Sequence, residues 1–578
     1  MPGGSGAANK APAMLERLMR QLLRARAATG DELIARGRAE RERGELADSL
    51  ASLEAALQHD AKDVAVLTEL GLTFRALGRR DEARAVFERA AASDPGSVLP
   101  LMYLGNLAHE AARLDDAVAA YRAALAIDAH NAALHFNLAL TLMARGEAAG
   151  AVEAFRDCLA EAPDYAEARS SLLFALNLSD GARPEETAAE HFEWGRRIAD
   201  PLQRERRFSN PPQAERRLRI GYVSADYFQH AAANFIHAFL AKHDPVRHDI
   251  FCYANAPMPA HGAGMYGHTW REIHALDDER LAALIAQDAI DVLVDLSGHS
   301  RGNRLLAFAR RPAPVQMTFL GYPNTTGMRA MTYRLTDAYA DPPGASESRY
   351  REKLLRMPHS VWCYQAHEDG VPEVGPLPAI RNGHVRFASM NGVFKLNVEL
   401  VGLWSDLLRR VADSRLILAT IAPGSVRERI LRTFADKGVD AQRIEFRGRL
   451  PRDEFLTLHN EVDIALDSYP CNGGATTCET LWQGVPVVSL AGETFRSRAG
   501  LSLLSSAGLP QLVAHSAGDY LDIAASLAQD RAHLQQFRAS LRQTLRASPL
   551  LDAQRFTRSL EALYREAWRD WCEHGGNA

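Results

Sequence analysis

The sequence predicts a multidomain protein in which an all-α module of helical repeats precedes two doubly wound α/β lobes. Small residues recur every 34 positions through the first third of the chain, and short apolar runs alternate with helical stretches through the rest. The 578 residues are 47% hydrophobic and 24% charged, which suits full-sized cores. A chain of this length is expected to hold roughly three to five domains.

The charge balance and the cysteines exclude several classes of protein. Lysine and arginine number 67 against 72 aspartates and glutamates, so no overall basic excess draws the chain to nucleic acid. No apolar run reaches the roughly 18 residues of a membrane span. The six cysteines form no C-x-x-C pair, which argues against a structural zinc site. We expect reduced thiols in a cytoplasmic protein.

The repeats share a small residue and, sixteen positions later, a bulky one. The small residues are Gly37, Gly71, Gly105 and Ala139. The bulky residues are Leu53, Phe87, Tyr121 and Phe155. This pattern resembles the tetratricopeptide repeat, with about four and a half copies. The small residues let two antiparallel helices approach, and the bulky one is expected to fill the gap to the next repeat. Stacked copies form a superhelix with a groove for protein or peptide.

Beyond the repeats, apolar runs rich in valine, isoleucine and leucine predict two parallel sheets buried on both faces. The first series of strand candidates lies at residues 218–224, 248–253, 290–296, 315–320 and 353–357. The second series lies at residues 385–388, 415–420, 443–446, 462–466 and 485–490. Ligands of such sheets bind at the carboxyl ends of the strands, so we expect a cleft between the lobes.

The most specific motif is DSYPCNGGATTCETLW at residues 467–482, which directly follows an apolar strand candidate. Its glycines, ending at Gly474, predict a tight turn before a helix. A helix amino end with Thr476 and Thr477 beside it suits a diphosphate. Glu479, one turn further, could accept hydrogen bonds from ribose hydroxyls. The alternative is a glycine turn with threonine as an ordinary helix cap.

Four more candidates follow predicted strands. Asp226 and His230 come just after the first strand of the first lobe, where a histidine can carry a proton or donate to a sugar or phosphate. Asn391 and Lys395 follow the first strand of the second lobe, where a lysine can neutralise a phosphate. An ordinary loop histidine and a surface lysine at a helix start remain the alternatives.

The absence of some phosphate-binding and metal-binding motifs narrows the range of possible reactions. The sequence holds no G-x-x-x-x-G-K-[ST], which argues against a P-loop NTPase. No Asp-x-Asp pair occurs either, and this pair is the usual carboxylate arrangement for a metal-bound sugar nucleotide. We therefore expect no metal cofactor, with lysine, arginine and a helix amino end supplying the positive charge instead.

The repeats and these motifs, in this order, resemble the O-linked N-acetylglucosamine transferase/SPINDLY family. The strongest carriers are RPAPVQMTFLGYPNTTG at residues 311–327, YRLTDAYADPP at 333–343, DVLVDLSGHSRGNR at 291–304 and CNGGATTCETLWQGVPVV at 471–488. The TTCE variant looks more like the bacterial and plant SPINDLY-like branch than the animal transferase. The resemblance implies a GT-B glycosyltransferase, with two Rossmann-like lobes and the nucleotide sugar between them.

The resemblance also implies roles for individual residues. The catalytic residues would be His230, Asp226 and Lys395, with Lys395 on the diphosphate. Thr476 and Thr477 would cap the diphosphate, and Glu479 would bind the ribose. Other nucleotide-sugar-binding residues are expected at Leu320, Gly321, Arg304, Asn391, Arg452, Phe455, Gly474 and Ala475. On the acceptor side, the resemblance suggests His191 and Asn137.

The implied function is inverting, metal-independent transfer of N-acetylglucosamine from UDP-GlcNAc to Ser/Thr hydroxyls of a protein held through the repeat groove. One alternative is an O-fucosyltransferase or another nucleotide-sugar-dependent transferase, for example on flagellin. Another is a repeat scaffold without catalysis. The general base stays open between His230, Asp226 through water, and the donor's own phosphate. A homodimer formed through the repeats is also open.

The predicted domains follow from these features. Residues 1–29 are expected to be a helical segment that is not a signal peptide, since residues 14–28 mix apolar and basic side chains at helical spacing. The remaining predicted parts are the repeats at 30–178, a linker at 179–216, an N-terminal lobe at 217–378, a nucleotide-binding lobe at 379–548 and a C-terminal helix at 549–578.

Overall fold

A computed structural model describes residues 28–204, 207–228, 230–260, 262, 264–367 and 370–574. The chain divides into two units, residues 1–142 and 143–578. Almost all of the predicted helical segment at residues 1–29 lies outside the described residues. Within the described ranges, no helix combines the length and the apolar character that crossing a bilayer requires.

The first unit consists of consecutive helices that pack in pairs. Its helices are α1 (Gly30–Glu42), α2 (Leu46–Leu57), α3 (Val64–Ala76), α4 (Arg80–Ser93), α5 (Val98–Glu110), α6 (Leu114–Ile127) and the beginning of α7 (Ala132–Ala144). Side chains fix two of the helix starts. Thr29 and Glu32 form a reciprocal capping box at α1, and the carboxylate of Asp63 accepts from the first-turn N–H groups of α3.

In the first three repeats, the bulky residue lies directly against the small residue of the same repeat. A Cβ added at Gly71 would collide with the ring of Phe87, and one at Gly105 would collide with the ring of Tyr121. Phe87 also stacks on Tyr103 of the next repeat, with the ring centroids 5.3 Å apart. The aromatic side chain therefore fills space inside its own repeat as well as between repeats, and the predicted repeat fold is confirmed.

The second unit begins with three helices. They are α8 (Ala148–Glu161), α9 (Ala166–Leu178) and α10 (Pro184–Trp194). Proline at the first position of α10 suits a helix start, because the missing N–H has no partner there in any case. A π-helical turn, Gly195–Ala199, continues α10. The segment predicted as a linker, residues 179–216, therefore contains a helix.

The first lobe is built on a seven-stranded parallel sheet in the order β3-β2-β1-β4-β5-β6-β7. Its strands are β1 (Leu218–Ser224), β2 (His248–Ala254), β3 (Thr269–Glu272), β4 (Val292–Asp295), β5 (Val315–Thr318), β6 (Tyr333–Asp337) and β7 (Lys353–Met357). Its helices are α11 (Ala233–Leu240), α12 (Asp278–Gln287) and α13 (Leu305–Ala309). The two series of predicted strands did not include β3 and β6. β3 is a short edge strand, and β6 buries Arg334, which breaks the apolar run.

The second lobe holds a six-stranded parallel sheet in the order β10-β9-β8-β11-β12-β13. Its strands are β8 (Arg386–Ser389), β9 (Arg415–Leu418), β10 (Ile444–Phe446), β11 (Ile464–Leu466), β12 (Val487–Leu490) and β13 (Val513–Ala514). Its helices are α14 (Pro378–Asn382), α15 (Val398–Arg410), α16 (Ser425–Asp436), α17 (Arg452–Leu458), α18 (Ala475–Trp482), α19 (Phe495–Ser506), α20 (Ala517–Gln529) and α21 (Arg531–Arg546). The two doubly wound lobes confirm the predicted fold class. The two-residue β13 was too short to recognise in the sequence.

The last helix, α22 (Ala553–Glu573), returns from the second lobe and packs on the first. The hydroxyls of Tyr564 and Tyr222 lie 3.0 Å apart, and the indole N–H of Trp568 donates to the carbonyl of Gln213 at 3.1 Å. This return was not predicted from the sequence, which marks a long amphipathic helix but not the surface that it covers.

The two lobes also contact each other directly. The hydroxyl of Ser502 in α19 donates to the buried carboxylate of Asp337, at the end of β6. The guanidinium of Arg498 donates from Nε to the carbonyl of Tyr339 at 2.7 Å. Polar groups at the ends of first-lobe strands therefore accept hydrogen bonds from a second-lobe helix, so the lobes share an interface that orients their strand ends.

Candidate active site

Most predicted site residues lie in loops at the carboxyl ends of parallel strands. The loops after β1, β5, β8 and β11 carry Asp226 and His230, Leu320 and Gly321, Asn391 and Lys395, and Gly474, respectively. Ligands of doubly wound sheets bind at this edge. These residues, which are far apart in the sequence, therefore lie at the same edge of their sheet in each lobe.

In the second lobe, Lys395 lies against the glycine loop. Its Nζ donates to the carbonyl oxygen of Asn472 at 2.6 Å, two residues before Gly474. Gly474 is the N-cap of α18, and no side chain within the described ranges caps this helix end. The ammonium group and the uncapped amino end of the helix together concentrate positive charge at one place, which suits a diphosphate. Ala475 and Thr476 are half-buried in the first turn, and Thr477 is buried.

Asp467, which the sequence analysis did not select, organises this loop. Its Oδ1 accepts from the backbone N–H groups of Ser468 at 2.9 Å and Gly473 at 2.7 Å, and from Nδ2 of Asn391 at 3.2 Å. Its Oδ2 accepts from the hydroxyl of Ser489 at 2.6 Å. Burial raises the pKa of Asp467, and these hydrogen bonds oppose the shift. Asn391 is therefore a supporting residue, because its amide is engaged with Asp467.

Two other strands end in the same way. Asp295 ends β4 and accepts from the N–H groups of Ser297 and Gly298, and Asp337 ends β6 and accepts from those of Tyr339 and Ala340. A buried aspartate at the carboxyl end of a strand therefore fixes the turn that follows. The signal in the sequence was an aspartate closing an apolar strand, as in VLVD and IALD.

Arg452 and Glu479 form an ion pair. Nη2 of Arg452 lies 3.1 Å from Oε1 of Glu479, with the arginine side chain 54% exposed and the glutamate 15% exposed. Burial raises the pKa of Glu479, and Arg452 opposes this shift. Phe455, in the same helix as Arg452, packs edge-on against His459 at 5.3 Å between ring centroids. The structure thus brings Arg452, one of the expected nucleotide-sugar-binding residues, against Glu479, which is expected at the ribose.

In the first lobe, Asp226 and His230 lie near each other in the loop after β1. Nδ1 of His230 is 3.7 Å from Oδ2 of Asp226, beyond hydrogen-bond distance, and it accepts the N–H of Ala232 at 3.2 Å. An accepting Nδ1 leaves the proton of the neutral imidazole on Nε2. The ring is 59% exposed, so Nε2–H is available as a donor. Burial raises the pKa of Asp226, and His230 opposes this shift.

Leu320 and Gly321 form a strained turn at the end of β5. Leu320 has a φ of +70°, and the N–H of Gly321 donates to the carbonyl of Phe319 at 2.9 Å, which closes a γ-turn. A Cβ at Gly321 would collide with the carbonyl of Leu296. Strain of this kind is kept where the surrounding structure enforces it, often at ligand sites.

Arg304 supports the first lobe from within. Its side chain is 9% exposed. Its guanidinium donates to Asp278 at 2.6 Å, to Asn255 at 3.0 Å, and to the carbonyls of Ile273 and Leu276. These contacts fix the loop before α12. Arg304 is therefore held inside the lobe, whereas we expected it among the residues that bind the nucleotide sugar.

His191 is fully buried, in contrast to the expected position beside an acceptor. Its Nδ1 donates to the carbonyl of Thr187 at 2.6 Å, and its Nε2 accepts from the hydroxyl of Tyr322 at 2.7 Å. The same hydroxyl accepts from Nδ2 of Asn177 in α9, also at 2.7 Å. Burial holds the pKa of His191 well below its ordinary value. The residue therefore links α9 and α10 to the loop after β5.

Asn137 lies in the first unit. Its Nδ2 donates to Oδ1 of Asn106 at 3.2 Å, and the hydroxyl of Tyr121 donates to the same oxygen at 2.6 Å. The Asn137 amide is therefore engaged in packing between helices of the repeats.

Comparison with known proteins places this arrangement in a family. The description "Glycosyl transferase family 41" matches residues 199–372 and 378–560, which is more than half of the chain. The chain belongs to glycosyl transferase family 41. The description "Tetratricopeptide repeat" matches residues 34–98 and 102–177. The resemblance to the O-GlcNAc transferase/SPINDLY family is thereby confirmed.

Individual family 41 relatives agree with this membership. A protein of Oryza sativa subsp. japonica named "Probable UDP-N-acetylglucosamine--peptide N-acetylglucosaminyltransferase SPINDLY" is 37% identical over 435 residues, which cover 73% of this chain and 46% of the relative. The Arabidopsis thaliana relative whose name ends in SEC is 30% identical over 387 residues, covering 64% of this chain and 38% of that protein. The chain thus matches less than half the length of these curated relatives.

A solved family structure supports the fold as well. The structure of a Thermobaculum terrenum O-GlcNAc transferase mutant is 33% identical, with a TM-score of 0.75. The match covers 95% of this chain and 99% of that one, so it extends over the repeats and both lobes.

Proposed function

We propose that this family 41 protein transfers N-acetylglucosamine from UDP-GlcNAc to Ser/Thr hydroxyls of a protein acceptor. The observation that carries the proposal is Nζ of Lys395 at the Asn472 carbonyl, beside the uncapped amino end of α18. The names of the relatives supply the donor and the class of acceptor. In the reaction, the hydroxyl oxygen bonds to the anomeric carbon, the bond to the diphosphate breaks, and UDP leaves.

The second lobe would hold the nucleotide. Lys395 and the first-turn N–H groups of residues 475–477 would stabilise the charge that grows on the leaving diphosphate, as fixed donors do in other enzymes. Glu479 would accept from ribose hydroxyls, and Arg452 and Phe455 would contact the base. Lys395 and these N–H groups support a metal-independent transfer, because they would stabilise the charge of the diphosphate that a metal ion neutralises in other enzymes.

The first lobe would hold the sugar. The accepting Nδ1 of His230 supports a role for its Nε2–H as a donor to the sugar or diphosphate, rather than as the base. Nε2 could accept a proton only in the tautomer that carries its proton on Nδ1. That proton would need an acceptor such as Asp226, whose Oδ2 lies 3.7 Å from Nδ1. We therefore propose that the base is Asp226 acting through water or the donor phosphate. The strained turn at Leu320 and Gly321 would contact the sugar.

The repeats would bind the protein acceptor. His191 would contribute indirectly, because it is buried and orients the loop after β5. The homodimer through the repeats stays a prediction.

A transfer assay tests the proposed function. The purified protein is incubated with labelled UDP-GlcNAc or GDP-fucose, with and without EDTA, and the label in protein and the free nucleotide are measured. We expect release of UDP from UDP-GlcNAc, unchanged by EDTA, and a product of inverted anomeric configuration. Turnover of GDP-fucose alone would assign the O-fucosyltransferase, and turnover of neither donor would favour the scaffold. Full loss of activity in EDTA while the protein stays folded, as measured by circular dichroism, would contradict the metal-independent mechanism.

A further inference from the structure

A second cluster of titratable side chains lies where α22 meets the first lobe. It joins His243, just after α11, with His248, the first residue of β2, and Glu561 of α22. In the part of the chain that the structure describes, only this group of histidine, cysteine, aspartate or glutamate side chains brings its ligand atoms within 4.8 Å of one another. The two imidazoles are almost fully buried, and the carboxylate is 12% exposed.

The distances inside this cluster fit a small divalent ion. Oε1 of Glu561 lies 2.9 Å from Nδ1 of His243 and 3.1 Å from Nδ1 of His248. A tetrahedral zinc ion with ligands at about 2.0–2.2 Å has edges of roughly 3.4 Å between neighbouring ligand atoms. An ion can therefore bind after the side chains separate by only a few tenths of an ångström.

Two features around the cluster favour such an ion. The hydroxyl of Tyr222 lies 2.8 Å from Nε2 of His243, which would fix the ring with Nδ1 facing the ion, as partners of metal-bound histidines do. Nδ1 of His248 is buried, and among the residues that the structure describes it has no partner in hydrogen-bond geometry, although Glu561 is close to it. A metal ion would satisfy this nitrogen.

We propose that His243, His248 and Glu561 bind a divalent transition-metal ion of the zinc class. Two neutral imidazoles and one carboxylate are ordinary ligands for zinc. The three residues also line a surface groove. Five basic residues line the same groove and favour a hydroxide or another small anion as a fourth ligand; they are Lys242, Arg247, Arg558, Arg565 and Arg569.

The position of the cluster gives the ion a structural role. His248 begins β2, whereas the candidate active site lies at the carboxyl ends of the strands. The seven residues of β2 extend over roughly 20 Å at about 3.3 Å per residue. The ion would therefore fasten α22 to the first lobe without entering the transfer reaction, which agrees with metal-independent transfer.

Metal titration of the full chain tests the proposal. The protein is stripped with a chelator and titrated with zinc chloride or cobalt chloride, with calorimetry, elemental analysis and cobalt absorption as readouts. We expect one ion per chain, tetrahedral cobalt bands and a higher melting temperature with zinc. Absence of bound ion after stoichiometric zinc, together with absence of cobalt bands, would overturn the proposal.

Two variants distinguish zinc binding at this cluster from zinc binding by other histidines of the chain. Glu561→Gln keeps the size of the side chain and is expected to weaken zinc binding at least tenfold. Glu272→Gln is the matched control, because Glu272 pairs with a single exposed histidine, His274, at 3.0 Å. It should bind zinc like the wild type. Equal zinc affinity of Glu561→Gln and the wild type would contradict the site. If that variant does not fold, the presence or absence of tetrahedral cobalt bands in the wild type tests the proposal.

Discussion

The hydroxyl of Tyr322 donates to Nε2 of His191 at 2.7 Å and accepts from Nδ2 of Asn177 at the same distance. One side chain thereby joins the last repeat helix, the linker helix and the loop that carries Leu320 and Gly321. All of these groups are buried, so each depends on the others for its hydrogen bonds.

Removing that hydroxyl should destabilise the second unit. Tyr322→Phe removes the hydrogen bond of His191 Nε2 and leaves Asn177 Nδ2 with the carbonyl of Leu173. An unsatisfied buried polar group costs about 1–3 kcal/mol. We expect the free energy of unfolding in urea to fall by that amount. Tyr339→Phe, at an exposed tyrosine of the same lobe, is the control and should change little. Equal stability of Tyr322→Phe and wild type would show that this network does not stabilise the unit.

Asp467 and Asp463 offer a matched test of the glycine loop, because they flank the two ends of β11. Asp463 accepts from the N–H groups of Ala379 and Arg386 at the amino end, whereas Asp467 holds Gly473 at the carboxyl end. Both asparagine variants should lower stability. Only Asp467→Asn should also raise the KM for the donor, by about tenfold or more, which corresponds to about 1.4 kcal/mol. A similar KM change in Asp463→Asn would contradict the positioning role.

The proposed role of His230 as a donor predicts which substitution is tolerated. His230→Gln places an amide N–H near the position of Nε2, whereas His230→Ala removes the donor. We expect the glutamine variant to retain at least ten times the kcat of the alanine variant in donor hydrolysis. Equally low kcat values would favour His230 as the general base, since neither variant can accept a proton there.

Acidification should destabilise the protein through His299, whose pKa burial lowers to about 4. A histidine of the unfolded chain binds its proton near pH 6.5, so the unfolded state gains protons first as the pH falls. Stability is therefore lost from about pH 6.5 towards pH 4, by about 1.4 kcal/mol per pH unit for this residue. Urea unfolding across this range should give a shallower slope for His299→Gln. If the free energy of unfolding depends on pH equally in His299→Gln and the wild type, His299 is not the source of the acid sensitivity.

The sequence predicted the parts of the fold in which a local pattern determines the structure. The 34-residue period placed Gly71 opposite Phe87, and continuous apolar runs identified ten of the strands. β6 was missed because Arg334, which is buried, donates to the carbonyls of Tyr322 and Asn324, and such a compensation is invisible in a list of residue types.

The site residues were predictable where they follow a strand directly. Lys395 contacts the loop that ends at Gly474 because β8 and β11 are neighbours in the sheet. Arg304 also follows a strand, but its guanidinium turns towards Asp278 and Leu276, and no local pattern could distinguish this orientation. The cluster of His243, His248 and Glu561 depends on the return of α22, more than 300 residues along the chain.

The most direct test of the account is donor binding and turnover in Lys395→Ala. We expect UDP-GlcNAc at about 100 times its Kd to stabilise the wild type by about 2.7 kcal/mol. We also expect the variant to lose turnover by roughly 10²–10³-fold, as when a fixed charge-stabilising donor is removed. Lys437→Ala, at an exposed lysine of the same lobe, should behave like the wild type. Near-normal transfer by Lys395→Ala, or no stabilisation of the wild type by any nucleotide sugar, would contradict the account.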